Sequence, residues 1–523
     1  MASSEVARPS HSSRGPHLSF ERELVVVVHK QAGLRVSATG LAATSQPFAR
    51  QLRLVLAESN ASVRPLFGAG LSEMLSTTSA PSPRKPSVPD LSVYYKIDGP
   101  DEELENIANK LRATEEVRAA YIKPRAQLAH INSMLPRKTS PPAKTPDFEA
   151  RQNYLDPSPT GIDAKFAWTY PGGKGKDVQI VDIEGEWRFS HEDLRLNKGG
   201  VVGGVVPNDL EWRNHGTAVI GEFGSDDNSI GVVGICPQAE VSGISIFPKL
   251  GSSEAIRLAT IRLRPGDIIL IELHRAGGRY GFQERDDQLG YIPIEWWPDD
   301  FDVIRFATSK GIVVVEAGGN GAENLDDPLY DLAQEGFPDG WTNPFKRSNR
   351  DSGAIVVGAG APPPGTHGQD HGPDRSRLDF SNYGDLIDVQ GWGRQVTTCG
   401  YGDLQGGISE DTWYTDEFSG TSSASPIVVG TIGCIQGILR NQNRPVLKPF
   451  DARKLLRTTG SPQQDGPGRP KTERIGNRPD LKQIIQNLTG AVSTPQSGPL
   501  APSKQKVPKS TKVTKARKRN KSR

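Results

Sequence analysis

Three short, nearly all-apolar runs, at residues 267–273, 311–317 and 354–359, constrain this chain more than any other feature, and two further strand-like stretches lie at 178–183 and 241–247. A run without polar alternation has no face to offer solvent. It therefore suits a strand buried on both sides of a parallel sheet. Helical spacing at 253–264, in the apolar segment 427–439 and at 452–457 supplies covering layers. Residues 151–490 are accordingly expected to form an α/β domain of three layers with a mostly parallel central sheet.

The preceding stretch reads differently. Residues 23–29 are β-branched and strand-like, 46–58 have helical spacing, and 61–67 and 90–97 read as strands. A helix opens at Asp101 with acids in its first turn, and 117–122 closes the set. The order β-α-β-β-α-β predicts a small α+β ferredoxin-like domain over 20–124, with the Ser- and Pro-rich stretch 79–89 as its central connection. Residues 1–19 are polar and expected to be disordered. The Pro- and Lys-rich stretch 125–150 reads as a linker and 491–523 as a disordered tail.

The net charge of +2 hides an asymmetry. Ten Lys or Arg and no acid lie between Lys504 and Arg523, so the remainder carries −8. Such a tail is first a solvated end and second a weak polyanion contact. No aromatic interleaves it, so base stacking is not expected. Cys236, Cys399 and Cys434 are too few for a disulfide framework and are expected as buried thiols. No membrane span or secretory signal is visible, which points to a cytoplasmic chain or one exported by a leaderless route.

Four stretches carry chemistry. Gly420-Thr421-Ser422-Ser423-Ala424-Ser425-Pro426 runs into an apolar helix, with Pro426 suited to its first turn. A serine there sits by unpaired N–H groups at the positive end of the helix dipole. Asp182 ends the strand at 178–183, placed to orient a histidine. His215 precedes a helix of small residues. Asn320 follows a buried strand and two glycines, where its amide N–H could meet an oxyanion.

Taken together, in the order Asp, His, Asn, Ser, these stretches resemble the subtilase family of serine peptidases. His215-Gly216-Thr217 resembles the family's His-Gly-Thr motif and Gly420-Thr421-Ser422 its serine motif. The segments 228–237, 380–384 and 387–389 extend the likeness over roughly 155–488. The resemblance implies a serine endopeptidase with Asp182, His215 and Ser422 as triad and Asn320 in the oxyanion hole, acting on protein or peptide substrates and needing no cofactor for chemistry. An α/β-hydrolase is excluded by the triad order and by the missing Gly-x-Ser-x-Gly elbow.

The resemblance also implies a substrate wall at Glu272, Leu273, Glu316, Ala317, Gly318 and Gly319. The two acids there would favour a basic side chain. A structural Ca²⁺ would be held by Asp193 and Asn228. The N-terminal domain becomes an inhibitory propeptide, so the chain would be a self-processed zymogen cut between Lys123 and Tyr154. Ala126 to His130 forms a small extended segment able to add a strand to the cleft. The sequence departs from the family after Asp182, where Glu184 and Glu186 crowd the site in place of Ser/Thr-Gly. It also departs at 269–274, which lacks Ser-Leu-Gly-Gly, and in apparent insertions at 275–298 and 323–350.

Overall fold

The computed structural model describes residues 22–37, 40–68, 88–130, 142 and 144–489. The expected disordered start, the basic tail, most of the 79–89 connection and the linker stretch 131–141 lie outside these residues.

The first domain contains β1 (Glu23–Val28), α1 (Gln46–Glu58), β2 (Ser62–Pro65), β3 (Tyr94–Asp98), α2 (Leu104–Arg112) and β4 (Val117–Lys123). Its sheet has the order β2-β3-β1-β4, antiparallel throughout. The Ser45 hydroxyl caps α1 by accepting the Phe48 N–H at 3.4 Å, and Pro47 stands in the first turn. The pleat of β1 explains why its five apolar residues show no alternation. Leu24, Val26 and Val28 pack beneath α1 and α2, whereas Val25 and Val27 point the other way, into the core of the second domain.

The second domain follows β5 (Gln127–Leu128). In chain order it has β6 (Gln179–Glu184), β7 (Lys198–Gly203), α3 (Leu210–Gly224), β8 (Glu240–Ser245), α4 (Ser252–Arg262), β9 (Ile268–Ile271), β10 (Leu273–Ala276), β11 (Tyr291–Pro293), α5 (Pro298–Ser309), β12 (Val313–Ala317), β13 (Ile355–Gly360) and β14 (Val389–Trp392). The hairpin β15 (Val396–Cys399) and β16 (Tyr414–Phe418) leads into α6 (Thr421–Asn441), followed by α7 (Pro449–Thr458) and α8 (Leu481–Thr489). Seven strands form one sheet in the order β14-β13-β12-β9-β6-β8-β7, each pair parallel.

The apolar runs divide their side chains between two cores. Ile180, Leu270 and Val315 face α3 and α6, while Val181, Ile271 and Val314 face α4 and α5. This is the three-layer arrangement that unbroken apolar strands require. α6 is long and apolar enough to cross a membrane by length and composition, and it is wholly buried as the central helix. All three cysteines are buried free thiols.

Two local expectations change. α6 begins at Thr421 rather than near Pro426, which lies inside the helix. His215 lies within α3 rather than before it, because the Asp209 side chain accepts the Glu211 and Trp212 N–H groups and starts the helix at Leu210.

The first domain docks its second sheet face on α4 and α5, and the contact is ionic at its centre. Lys123 Nζ lies 2.5 Å from Asp299 and 2.9 Å from Asp300, at the start of α5. Arg275 donates to Glu23 at 2.6 Å and to Ser252 at 2.9 Å, and Ser252 donates to Asp300 at 2.6 Å. Burial pulls the Lys123 ammonium down, but the Asp299 and Asp300 carboxylates more than offset it and hold it above its ordinary value. Burial alone would raise the Glu23 carboxyl; Lys123, Lys96 and Arg275 hold it well below the usual range. The apparent insertion at 323–350 also has a place here. Gly336 O accepts the Ala120 N–H at 3.0 Å and Gln334 donates to Ile122 O at 2.6 Å, which covers the edge strand β4.

Removing one partner of a buried ion pair strands the other, at about 3–5 kcal/mol. In a Ser422→Ala background, Lys123→Met is therefore expected to undock the first domain. Amide hydrogen exchange along β4 would rise; protection equal to that of the parent would refute this account of the docking.

Candidate active site

The carboxyl ends of parallel strands open into the usual crevice of such folds, and four elements converge there. Glu184 ends β6, and the chain after β12 leads through Gly318 and Gly319 to Asn320. His215 lies in the second turn of α3, and Ser422 in the first turn of α6. Gly216 lets α3 pass close to the turn after β6, since a Cβ there would meet Glu186 O at 2.2 Å. Ser422, His215, Asp182 and Glu184 are all completely buried.

The expected partner of His215 is corrected by this geometry. His215 Nδ1 lies 2.8 Å from Glu184 Oε2, whereas Asp182 Oδ2 accepts the Trp187 indole N–H at 2.7 Å. The two carboxyls share a strand face, being two residues apart. Glu184 stands nearer the strand's end, and its longer side chain reaches the ring. The crowding by Glu184 noted in the sequence is thus the signal that could have found it. Burial pushes the His215 imidazole down to about 3, so the ring is neutral. Its Nε2 has no hydrogen-bond partner among the described residues.

Ser422 faces the chain's own linker. Its Oγ donates to Ala129 O at 2.8 Å and its backbone N–H to the same oxygen at 3.3 Å. Upstream, β5 adds as an antiparallel strand to β10, with Leu128 opposite Leu273 and Gln127 opposite His274. Leu273, expected in a substrate wall, thus lies on the strand that pairs with the linker, and the sequence of that strand is Leu-His-Arg-Ala. Downstream, His130 bridges Gly420, whose φ of 113° and missing Cβ admit the linker; a Cβ would meet Ala129 O at 2.4 Å. The His130 ring packs against both Tyr401 and Phe418, with centroids 5.3 and 5.6 Å away, and those two rings also touch each other.

Asn320 is held by its neighbours. Its Oδ1 accepts from the Thr421 N–H at 2.9 Å and hydroxyl at 3.0 Å. Its Nδ2 donates to Gln288 Oε1 at 3.2 Å, which leaves that nitrogen a second N–H. Gln288 in turn donates to Leu128 O at 3.0 Å. Gln288, Tyr401 and Phe418 are site residues that sequence reasoning missed. The first lies in an apparent insertion, and the other two carry no motif.

The expected acidic pocket is also corrected. Glu272 Oε1 accepts from Ser425 at 2.5 Å, and its Oε2 is buried with no hydrogen-bond partner among the described residues. Glu316 accepts the Glu295 N–H at 3.2 Å. Burial pushes both well above the usual carboxyl range, so neither offers a charge to an incoming base. Ala317, Gly318 and Gly319 line the turn that positions Asn320, and Gly319 donates its N–H to the Thr421 hydroxyl at 3.1 Å.

The expected Ca²⁺ ligands meet, but as donor and acceptor. Asn228 Nδ2 donates to Asp193 Oδ1 at 2.7 Å, and Asp193 Oδ2 accepts the Val232 N–H at 2.8 Å. Asn228 Oδ1 accepts the Ile230 N–H. Burial raises Asp193 to about 7. Both carboxylate oxygens and the amide oxygen are used by N–H donors, so the pair does not fit the oxygen set a Ca²⁺ needs.

Comparison with known proteins agrees with the geometry. A model of the subtilase family of peptidases matches residues 205–483, more than half of the chain. The chain belongs to the subtilase family. The match includes His215, Asn320 and Ser422 and begins after β6, the strand on which this chain departs from the familiar pattern. The chain is 26% identical over 293 residues to the alkaline elastase YaB of Bacillus sp. (strain YaB), covering 55% of this chain and 60% of the elastase. It is 24% identical over 323 residues to the intracellular serine protease of Paenibacillus polymyxa, covering 59% and 82%. Two solved structures share the fold. Fervidolysin from Fervidobacterium pennivorans has a TM-score of 0.51 at 17% identity, over 89% of this chain and 61% of its own. The epidermin leader peptide processing serine protease of Staphylococcus aureus has 0.50 at 16%, over 90% and 100%.

The Asp193 pairing has a testable consequence. Asn228→Ala leaves a buried acceptor without its donor, a loss of about 1–3 kcal/mol, and should lower Tm. A chelator should leave the wild-type Tm where it is; a chelator-induced drop would restore the metal reading.

Proposed function

We propose that the chain is a serine endopeptidase, made as an inhibited precursor, that cuts its own linker between Ala129 and His130. One observation carries the reading: the Ala129 carbonyl oxygen lies on the Ser422 hydroxyl and N–H while Leu128 runs as a strand along β10. That is how an extended peptide is presented to a nucleophile.

In this reading Ser422 attacks the carbonyl carbon and its proton passes to His215 Nε2. Glu184, at Nδ1, fixes the tautomer and stabilises the imidazolium that forms. The Ser422 N–H and the second N–H of Asn320 take the charge on the oxygen. The imidazolium then protonates the leaving His130 nitrogen, and water releases the acyl group. No step calls on a cofactor. After the cut, the first domain stays docked as an inhibitor until it is degraded. Protein or peptide substrates would follow the linker's pattern: a small residue before the bond, as Ala129, and a flat ring after it, as His130.

Glu272 supports a second assignment, in which its carboxyl rather than His215 receives the Ser422 proton. Full activity in His215→Ala together with loss in Glu272→Gln would select it.

Mass spectrometry of N-termini tests the main reading. Wild type should begin at His130, and Ser422→Ala should remain uncut, with hydrolysis reduced roughly a million-fold. Glu184→Gln should lose on the order of 10⁴-fold in kcat, as expected when the residue that orients the histidine loses its charge. A full-length wild-type chain that still hydrolyses peptides would make the first domain a permanent part of the enzyme.

A further inference from the structure

Asp182 is left without a role once Glu184 is paired with His215, yet it is completely buried beside the site. Its Oδ2 is engaged by Trp187, and Trp187 itself is fixed by packing against Gly216 and Gly243, where added Cβ atoms would meet its ring at 2.7 Å. Glu184 Oε2 is engaged by His215. The oxygens that remain, Asp182 Oδ1 and Glu184 Oε1, are both buried and have no hydrogen-bond partner among the described residues. The two side chains leave one face of β6 two residues apart, and each acts on the other's ionisation. Two carboxylates cannot share a hydrogen bond, so a contact between these oxygens requires one proton between them.

We propose that Asp182 is a positioning residue that keeps its proton, donates it to Glu184 as a hydrogen bond, and so holds a single negative charge on Glu184 against His215. The order of contacts is then Trp187, Asp182, Glu184, His215, with Ser422 beyond. This rests on the triad assignment proposed above.

The surroundings favour this distribution of charge. Burial raises Asp182 well above its ordinary range, and the neighbouring Glu184 raises it further. Burial also holds Glu184 well above its ordinary range, and Asp182 is the one neighbour that acts to lower it. From the end of β9, Glu272 adds a third buried carboxyl, itself pushed up by burial. On β8 the neighbour of Asp182 is Gly243, and around Glu184 stand the His215 ring of α3 and Tyr401, whose hydroxyl has no hydrogen-bond partner among the described residues. No Lys or Arg is among these groups, so a second ionisation within the pair would go uncompensated. A donated hydrogen bond is the means at hand for keeping Glu184 ionised in such a place.

The test compares Asp182→Asn with Asp182→Ala in the full chain. Asparagine has nearly the same shape, accepts the Trp187 N–H and donates permanently to Glu184. It should keep kcat within about threefold of wild type. Alanine removes the donor, so Glu184 takes up a proton itself: kcat should fall a hundredfold or more at neutral pH with KM little changed. The acid limb of the kcat/KM profile should move to higher pH, so raising the pH recovers part of the activity. Equal losses in both variants with unshifted profiles would overturn the proposal, as would an alanine variant indistinguishable from wild type. A readout independent of turnover comes from the Ser422→Ala protein. Its infrared difference spectrum against Ser422→Ala/Asp182→Asn should contain a protonated-carboxyl C=O band near neutral pH. A carboxylate band in its place would show Asp182 ionised and end the proposal, whereas failure of the peptidase reading would leave this spectrum unchanged.

Discussion

The position of the linker depends on one docking contact, the face of the first domain's sheet laid on α4 and α5. β1 has no solvent face: Leu24, Val26 and Val28 serve its own domain, and Val25 and Val27 serve the next. With that sheet fixed, β4 ends at Lys123 above the start of α5 and the chain must continue along the crevice. Arg275 donates to the Pro124 carbonyl, which sets its direction. Five residues later Ala129 reaches Ser422. The register of β5 on β10, and with it the bond presented to the serine, follows from where β4 ends.

Within the crevice, charge is the governing constraint. Asp182, Glu184 and Glu272 are completely buried around His215 and Ser422, and burial disfavours the charged form of each. Electrostatics therefore limits how many protons can leave the group. The docking interface makes the opposite use of burial. There Glu23, Asp299 and Asp300 face Lys96, Lys123 and Arg275, equal in number and in mutual contact. Charges that would be costly singly are tolerated in a balanced set.

Much of this was legible in the sequence. The unbroken apolar runs specified a parallel sheet because such strands have no other stable environment. The strand reading at 90–97 and the helix opening at Asp101 anticipated two elements of the first domain, although 91–93 forms a 3-10 turn and the strand begins at Tyr94. Ser422, His215 and Asn320 could be located because each sits at a junction where glycine and small residues leave a motif. The choice between Asp182 and Glu184 was not legible, since both point the same way from one strand and only side-chain reach separates them. The ends of the helices were misjudged for a similar reason. Pro426 looks like a helix start, but the N-terminus is set earlier, at Gly420, by the turn that admits the linker. Gln288, Tyr401 and Phe418 are brought to the site by long-range packing that no local pattern encodes.

The same logic accounts for the ionic rather than apolar centre of the domain contact. A buried ion network adds little net stability over well-packed apolar residues, but it is strict about geometry. Under the proposed self-cleavage, the first domain would have to fit closely while attached and leave behind a surface compatible with water. Asp299, Asp300, Ser252 and Arg275 satisfy the second condition, because all can be hydrated once Lys123 and Glu23 withdraw. An apolar patch of the same size would persist as a sticky surface on the released enzyme. The contact also has an apolar part, in which Val25, Val27, Tyr94 and Tyr121 of the first domain share one core with Ile256, Trp297 and Phe337 of the second.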